Sequence, residues 1–322
     1  MSGLFSVIFI VLLIILLCLL VGPFLIPISP LDNTVPPEEL AEQDSRFETI
    51  DDVRVHYKTA GSGNQVLILL HGFGASTFTW HKVMTPLAQD YTVVAYDRTG
   101  FGYTARPMPG DWSVTSPYSP LSQVEQLIAL MDTLGIDKAV LVGSSAGGIT
   151  AALTAVYYPE RVKALVLVDA AIFQGGPPRW LSSILRIPQV KRLGFLMMRY
   201  YYTHLFDYAH KRAWHDPANR TPEIVEGYRK PLRCRNWDRA LWEYVFAYES
   251  MNLGDRLDEI ELPVLIITGD DDRIVPQRGS ERIAYQIAHA ELAVIPDTGH
   301  LPHEENAERF LEVVKPFLKK VL

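Results

Sequence analysis

Ser145 stands in Gly143-Ser-Ser145-Ala-Gly147, directly after the apolar run Ala139 to Val142 and before the helix-like stretch Ala146 to Tyr158. Small residues at both ends of this pentapeptide permit a tight strand-to-helix turn that lifts a serine hydroxyl above a sheet. The start of the following helix adds backbone N–H groups and the positive end of its dipole. A hydroxyl is a weak nucleophile until a base takes its proton, and the base needs an acid to orient it. His300, in Asp297-Thr-Gly-His300-Leu301, follows the last apolar run of the chain and supplies a base. Acids follow two earlier runs: Asp169 comes after Val168, and Asp270, Asp271 and Asp272 lie within Thr268-Gly-Asp-Asp-Asp-Arg-Ile-Val-Pro276. These groups imply attack of Ser145 on an acyl carbon, a tetrahedral intermediate, and water attack on an acyl-enzyme. No cofactor or metal is implied, since Cys18, Cys234 and the histidines form no cluster with zinc-site spacing.

Such loops work together only if strands carry them to one edge. Apolar runs at Val66 to Leu70, Thr92 to Tyr96, Ala139 to Val142, Ala164 to Val168, Val264 to Thr268 and Leu292 to Ile295 suit strands buried on both faces. Helix-length stretches at Leu121 to Leu134, Ala146 to Tyr158 and Arg278 to Ala288 alternate with them, which predicts βαβ units and a mainly parallel sheet. In such a sheet Ser145, the acids and His300 all lie at the C-terminal edge of the strands, where sites form. Ahead of these, Phe47 to Ile50 and Val53 to Tyr57 alternate around Asp51-Asp52 as a β-hairpin.

The alternation breaks once, between Val168 and Val264. Residues Phe173 to Tyr248 hold 15 aromatic residues, and 13 Lys plus Arg against 6 Asp plus Glu, in a chain whose formal charge is -7. This predicts an inserted, helical, basic and aromatic segment at about 173–250. Within it, Lys191 to Tyr202 mixes three cations with Leu193, Phe195, Leu196 and Met197. The pattern fits either an ordinary surface helix with solvated cations or a helix resting on an anionic membrane.

The chain also starts differently from the rest. Residues 1–31 carry no charge, and Leu4 to Val21 is an apolar run broken only by Ser6. As a helix it would span roughly 27 Å at ~1.5 Å per residue, enough to cross a bilayer core. With no basic residue ahead of it and no small-x-small site after it, an uncleaved anchor is expected rather than a secretory signal. Residues 32–44, with Pro36, Pro37, Glu38, Glu39, Glu42 and Asp44, read as a stiff acidic spacer, and the body as residues 45–322.

From about Arg46 to Leu322 the chain resembles the α/β-hydrolase fold family, of the serine esterase and lipase type with an inserted lid. The resemblance is carried by the G-x-S-x-G, the Gly-His300 loop, His71-Gly-Phe-Gly74, Asp97-Arg-Thr-Gly-Phe-Gly102 and the chain order Ser, Asp, His. It implies Ser145 as nucleophile, His300 as base and Asp272, four residues before Pro276, as acid. It also implies an oxyanion hole from the backbone N–H groups of Phe73 and Ala146. Position 144 is Ser where many relatives carry a larger residue. Ser145 itself differs from the carboxylate of the related haloalkane dehalogenases and epoxide hydrolases.

The expected function is therefore a membrane-anchored serine hydrolase acting on an apolar, small-molecule carboxylic ester. Carbon–carbon bond hydrolases, cofactor-free perhydrolases and a non-catalytic scaffold of the same fold are the alternatives. The acidic balance argues against a nucleic-acid partner.

Overall fold

A computed structural model describes residues 2–174, 179–185, 187–249 and 251–322. Eight strands form one sheet: β1 (Arg46–Ile50), β2 (Val53–Ala60), β3 (Val66–Leu70), β4 (Thr92–Tyr96), β5 (Ala139–Ser144), β6 (Val162–Val168), β7 (Val264–Gly269) and β8 (Ala290–Ile295). Their order is β1-β2-β4-β3-β5-β6-β7-β8. The hairpin closes through Asp51 and Asp52, both at positive φ, with Ile50 opposite Val53. Two such residues make a turn whose twist matches that of the strands it joins. β2 runs antiparallel to β4, and every pair from β4 through β3 to β8 is parallel.

Alternate residues of the central strands enter two separate cores. Ile68, Leu70, Leu141, Leu165 and Ile266 pack against the helices Pro120–Thr133 and Ala146–Tyr157 on one face. Leu67, Leu69, Val140, Val166 and Leu265 pack against Trp80, Leu87, Phe310 and Phe317 on the other. A strand buried on both faces cannot alternate polar with apolar, which is why these runs are apolar throughout.

The insertion falls between β6 and β7, and among its described residues no strand occurs. Its helices are Arg179–Leu185, Pro188–Tyr200, Phe206–Arg212, Pro222–Arg229 and Trp237–Ala247. A π-helical turn, Tyr201–Leu205, joins the second to the third. Of the expected span 173–250, positions 175–178, 186 and 250 lie outside the described residues. The insertion packs through a third, aromatic core of Tyr202, Phe206, Trp214, Tyr228 and Trp237, which includes Phe101 and Leu301 of the body.

One expectation about the chain's first part needs correction. Residues 32–44 are not a free spacer. Val35 bridges to Cys234 of the insertion, with its N–H on the Arg233 carbonyl at 2.9 Å and its carbonyl on the Arg235 N–H at 2.9 Å. Leu40 is buried, and Glu42 pairs with both Lys58 (2.5 Å) and Lys230 (2.9 Å). The acidic run therefore meets cations that lie far off in sequence, which removes the repulsion that would hold it extended.

The cations of the Pro188–Tyr200 helix, for which the sequence left a solvated face and a membrane face open, pair within the chain. Arg192 donates to the carbonyls of Pro23 and Ile26, and Arg199 to Asp238 at 2.6 Å and to the Ser29 carbonyl at 3.1 Å. Lys191 lies 3.7 Å from Glu243. The helix Ser2–Leu25 otherwise stands clear of the body, long and apolar enough to cross a membrane, with the span Gly3–Leu25 unburied.

Candidate active site

β5 ends at Ser144, and the helix that follows begins at Ala146, so the chain reverses within one residue. Ser145 takes that reversal at φ 52°, ψ -119°, a strained conformation for a residue with a side chain. The turn closes because Gly147 lets the helix start press against β3. A Cβ there would lie 2.2 Å from the Leu70 carbonyl oxygen. Ala146, as the first helical residue, has an N–H with no intrahelical acceptor.

His300 is held from both sides of its backbone and ring. Its N–H donates to the Ala213 carbonyl of the insertion at 2.7 Å, and its Nδ1 meets Asp272 Oδ2 at 2.6 Å. Asp272 Oδ1 accepts from the N–H groups of Ile274 (2.7 Å) and Val275 (2.9 Å). Burial pushes the Asp272 carboxyl up, but His300 and the two N–H groups outweigh it and hold the pKa below the usual value. Asp272 is thus an ionised acceptor, the form that keeps the proton on His300 Nδ1 and leaves Nε2 to serve as a base.

Asp169 stands behind this pair, not on the ring. Its Oδ1 accepts from the Thr268 hydroxyl at 2.6 Å, while the buried Oδ2 has no hydrogen-bond partner among the described residues. Burial, and then the neighbouring Asp272 carboxylate, push its pKa far above the ordinary range. One proton shared unequally by two acids is expected where two carboxyls cannot both ionise. Asp169, Asp272 and His300 bring their ligand atoms within 4.8 Å of one another. The Asp272 and His300 atoms are already engaged, so the arrangement suits holding a proton. Asp270 and Asp271 shape the turn: Asp270 accepts from the Thr298 N–H, and Asp271 meets His215 and Arg273.

The loop His71–Gly74 faces the serine, with a Cβ at Gly72 lying 3.1 Å from Ser145 Cβ. His71 fixes that loop. The Arg98 N–H must donate to Nε2 (3.1 Å), so Nδ1 carries the hydrogen and donates to the Gly72 carbonyl (2.8 Å). Burial, reinforced by the Arg98 charge, lowers its pKa to about 3, and the ring is a neutral brace. Arg98 is itself fully buried over Phe101 and Tyr244, and its Nε and Nη2 lack partners among the described residues. His303, three residues beyond His300, is also buried. Its short helix folds back so that Nε2 meets Thr79 Oγ1 at 3.0 Å and the ring packs on Trp80.

Ser145, His300 and Phe73 line one cavity of about 210 Å³. Its other walls include Tyr201, Tyr202, Phe206, His210 and Tyr228 from the insertion, and among the described residues no Lys or Arg lines it. None of those five was singled out by the sequence. The only signal for them is the aromatic enrichment of the insertion, which does not say which rings turn inward.

A family model described as alpha/beta hydrolase fold matches residues 65–307. The chain belongs to the α/β-hydrolase family. Among curated members, it is 31% identical over 288 residues to a 2-hydroxy-6-oxononadienedioate/2-hydroxy-6-oxononatrienedioate hydrolase of Burkholderia vietnamiensis, covering 84% of this chain and 92% of that one. A solved meta-cleavage product hydrolase from Pseudomonas fluorescens superposes with a TM-score of 0.67 at 26% identity, covering 86% and 98%. A solved enzyme described as degrading N-acyl homoserine lactones also gives 0.67, at 25% identity, covering 84% and 100%. This α/β-hydrolase is therefore an enzyme of the hydrolase class acting on small molecules.

Proposed function

We propose that the protein hydrolyses the carbon–carbon bond beside a ketone, in a conjugated substrate whose ketone end carries an apolar group. The observation that carries this is the identity to the nonadienedioate hydrolase, which extends across nearly the whole of that enzyme. Ser145 Oγ attacks the ketone carbon as its proton passes to His300 Nε2, and the Phe73 and Ala146 N–H groups hold the oxyanion. In the keto tautomer of the substrate, where the adjacent carbon is tetrahedral, collapse of the intermediate breaks the bond to that carbon, and its electron pair is delocalised as a dienolate through the remaining double bond onto the second carbonyl. His300 returns the proton to the dienolate, and water then releases the acyl group from Ser145 as a carboxylic acid. Asp272 steadies the imidazolium, and the insertion acts as a lid. The helix Ser2–Leu25 serves as a membrane anchor, a reading supported by its length and its unburied apolar surface.

A second reading, a carboxylic ester hydrolase, is favoured by the cavity itself. With no lysine or arginine among its described lining residues, a carboxylate would lie against rings with no counter-ion from them. The same steps then expel an alkoxide in place of an enolate. Purified protein tested on 6-alkyl or 6-aryl 2-hydroxy-6-oxo-dienoates and on p-nitrophenyl esters separates the two. Loss of the dienone absorbance with kcat/KM on the order of 10² above the esters is expected, a margin that a fitted site readily gives. The reverse order assigns the enzyme to esters.

A further inference from the structure

The insertion leaves an apolar groove open beside the catalytic cavity. Leu193, Leu196, Met197, Tyr200, Leu205 and Val245 are among its lining residues, and its volume is about 640 Å³. Met197 and Tyr200 are each 60% exposed and Leu205 42%, a patch that a soluble surface rarely leaves uncovered. Two further lining residues, Phe73 and Tyr201, also line the cavity around Ser145. The groove and the catalytic cavity thus share a wall made of rings, one of them on Phe73, whose N–H is proposed above for the oxyanion.

The position of the groove says what covers it. The same Pro188–Tyr200 helix is tied to the end of the apolar N-terminal helix: Gln189 donates to the Leu20 carbonyl at 3.0 Å, and Arg192 to those of Pro23 (2.9 Å), Phe24 (3.4 Å) and Ile26 (3.3 Å). Those carbonyls lie where the membrane-crossing stretch ends, so the groove opens at the level of the bilayer interface. The cations flanking it are spent on these carbonyls and on Asp238 and Glu243, which leaves hydrocarbon rather than lipid phosphate as the chemistry it can recognise.

We propose that this groove takes the hydrocarbon tail of a substrate dissolved in the bilayer and passes it by Phe73 and Tyr201 to Ser145. The inference rests on the anchor reading and is independent of which bond is then broken. Its test reconstitutes the full chain carrying Ser145→Ala in phosphatidylcholine vesicles containing a fatty acid with a diazirine on its chain, followed by irradiation and peptide mapping. Label on residues 193–205 as well as on 4–21 is expected. Met197→Glu with Tyr200→Glu, both exposed positions that tolerate charge without unfolding, should lower the 193–205 label at least roughly tenfold and leave the anchor label intact, because a charge is costly against hydrocarbon.

With Ser145 restored, the double variant should hydrolyse a short water-soluble substrate as before and lose turnover of a long-chain one held in vesicles. Label confined to the anchor, label indifferent to the two charges, or equal loss on both substrates overturns the proposal. Failure of the chain to float with the vesicles overturns it together with the anchor. None of these outcomes bears on carbon–carbon against ester cleavage.

Discussion

The catalytic edge and the insertion that covers it are built on different principles. At the edge, backbone hydrogen bonds pass from strand to strand and continue into the loops: Ser145 donates to Val168, Asp169 to Ile267, and Asp270 to Ile295. Each loop inherits its position from a ladder that any apolar side chain can occupy. The insertion has no ladder. Tyr202 sits against Tyr201, Phe206 and Trp237 at ring-centroid distances of 5.1 to 5.6 Å, and packed rings, pinned by isolated backbone bonds such as His300 N–H to Ala213, set where it lies. One region can therefore keep a triad while the other changes which substrate fits, and each can be broken separately.

The largest effects belong to the edge. Ser145→Ala and His300→Ala should each reduce kcat by on the order of 10⁴ to 10⁶, with the double variant little worse because the two act as a unit. Steady-state kinetics on folded protein checks this, and near-normal turnover by Ser145→Ala would end the triad assignment. Asp272→Asn should lose somewhat less, about 10³ to 10⁴. Asp169→Asn should keep most activity, since a carboxyl already neutral gives up little on becoming an amide. If Asp169→Asn were the more damaging of the two, the orienting acid would be Asp169.

The contrast between the two regions also explains what could be read from the chain. Strands buried on both faces write themselves as apolar runs, with the serine turn and its loops at their ends, so β3 to β7 are legible in the sequence; β8 is a correction, an edge strand whose Leu292 and Val294 are exposed rather than buried on both faces. The residues alone leave Asp272 and Asp169 open, since both follow strands; the resemblance favours Asp272, and in the fold it is Asp272 that meets His300, at 2.6 Å. The docking of residues 32–44 is hidden for a related reason. Glu42 reads as one of several repelling acids until Lys58 and Lys230 are beside it. The wall residues Tyr201, Tyr202, His210 and Tyr228 depend on how short helices cross, which no local periodicity encodes.

One contact joins the two regions directly and sharpens the comparison. Gly74, at φ 70° in the His71–Gly74 loop, faces Tyr202 so closely that a Cβ would lie 2.3 Å from the phenol oxygen, with the next ring atom at 3.5 Å. Gly74→Ala should therefore cost about 10-fold to 10²-fold in kcat/KM through displacement of the loop, plus roughly 1 kcal/mol of backbone strain. Adding Tyr202→Phe removes the colliding oxygen and should recover a large part of the activity but not the strain. A double-mutant cycle that comes out additive would place the loop and the insertion in separate units.

A smaller effect concerns how the first residues hold the insertion to the body. A chain starting at Asp32 keeps the Val35 bridge, the buried Leu40 and the Glu42 pairs, whereas one starting at Ser45 loses all three. Thermal unfolding should place the shorter chain about 2–4 kcal/mol lower in stability, mainly from the lost leucine burial and bridge hydrogen bonds. Both chains should remain active at low temperature, because no catalytic group lies before residue 71. Equal stability would return residues 32–44 to the role of a spacer.

The smallest effect tests the seam between the insertion and the last helices. Glu304 is buried, with Oε2 accepting from the Tyr228 hydroxyl of the insertion at 2.8 Å and Oε1 lying 3.4 Å from His81 Nδ1. Burial raises its pKa from 4.5 to about 8, so over that interval the folded chain holds a proton that the unfolded chain has released. Binding more protons when folded means that stability is full below about pH 4.5 and is lost as pH rises through about 8. Glu304→Gln keeps the neutral shape and removes the titration. Calorimetric unfolding between about pH 5 and pH 8 should show the wild type losing on the order of 2 kcal/mol more than the variant. Parallel curves for the two proteins would mean that Glu304 is ionised in the fold, and the Tyr228 contact would then be a charged hydrogen bond tying the insertion down more firmly than a neutral one.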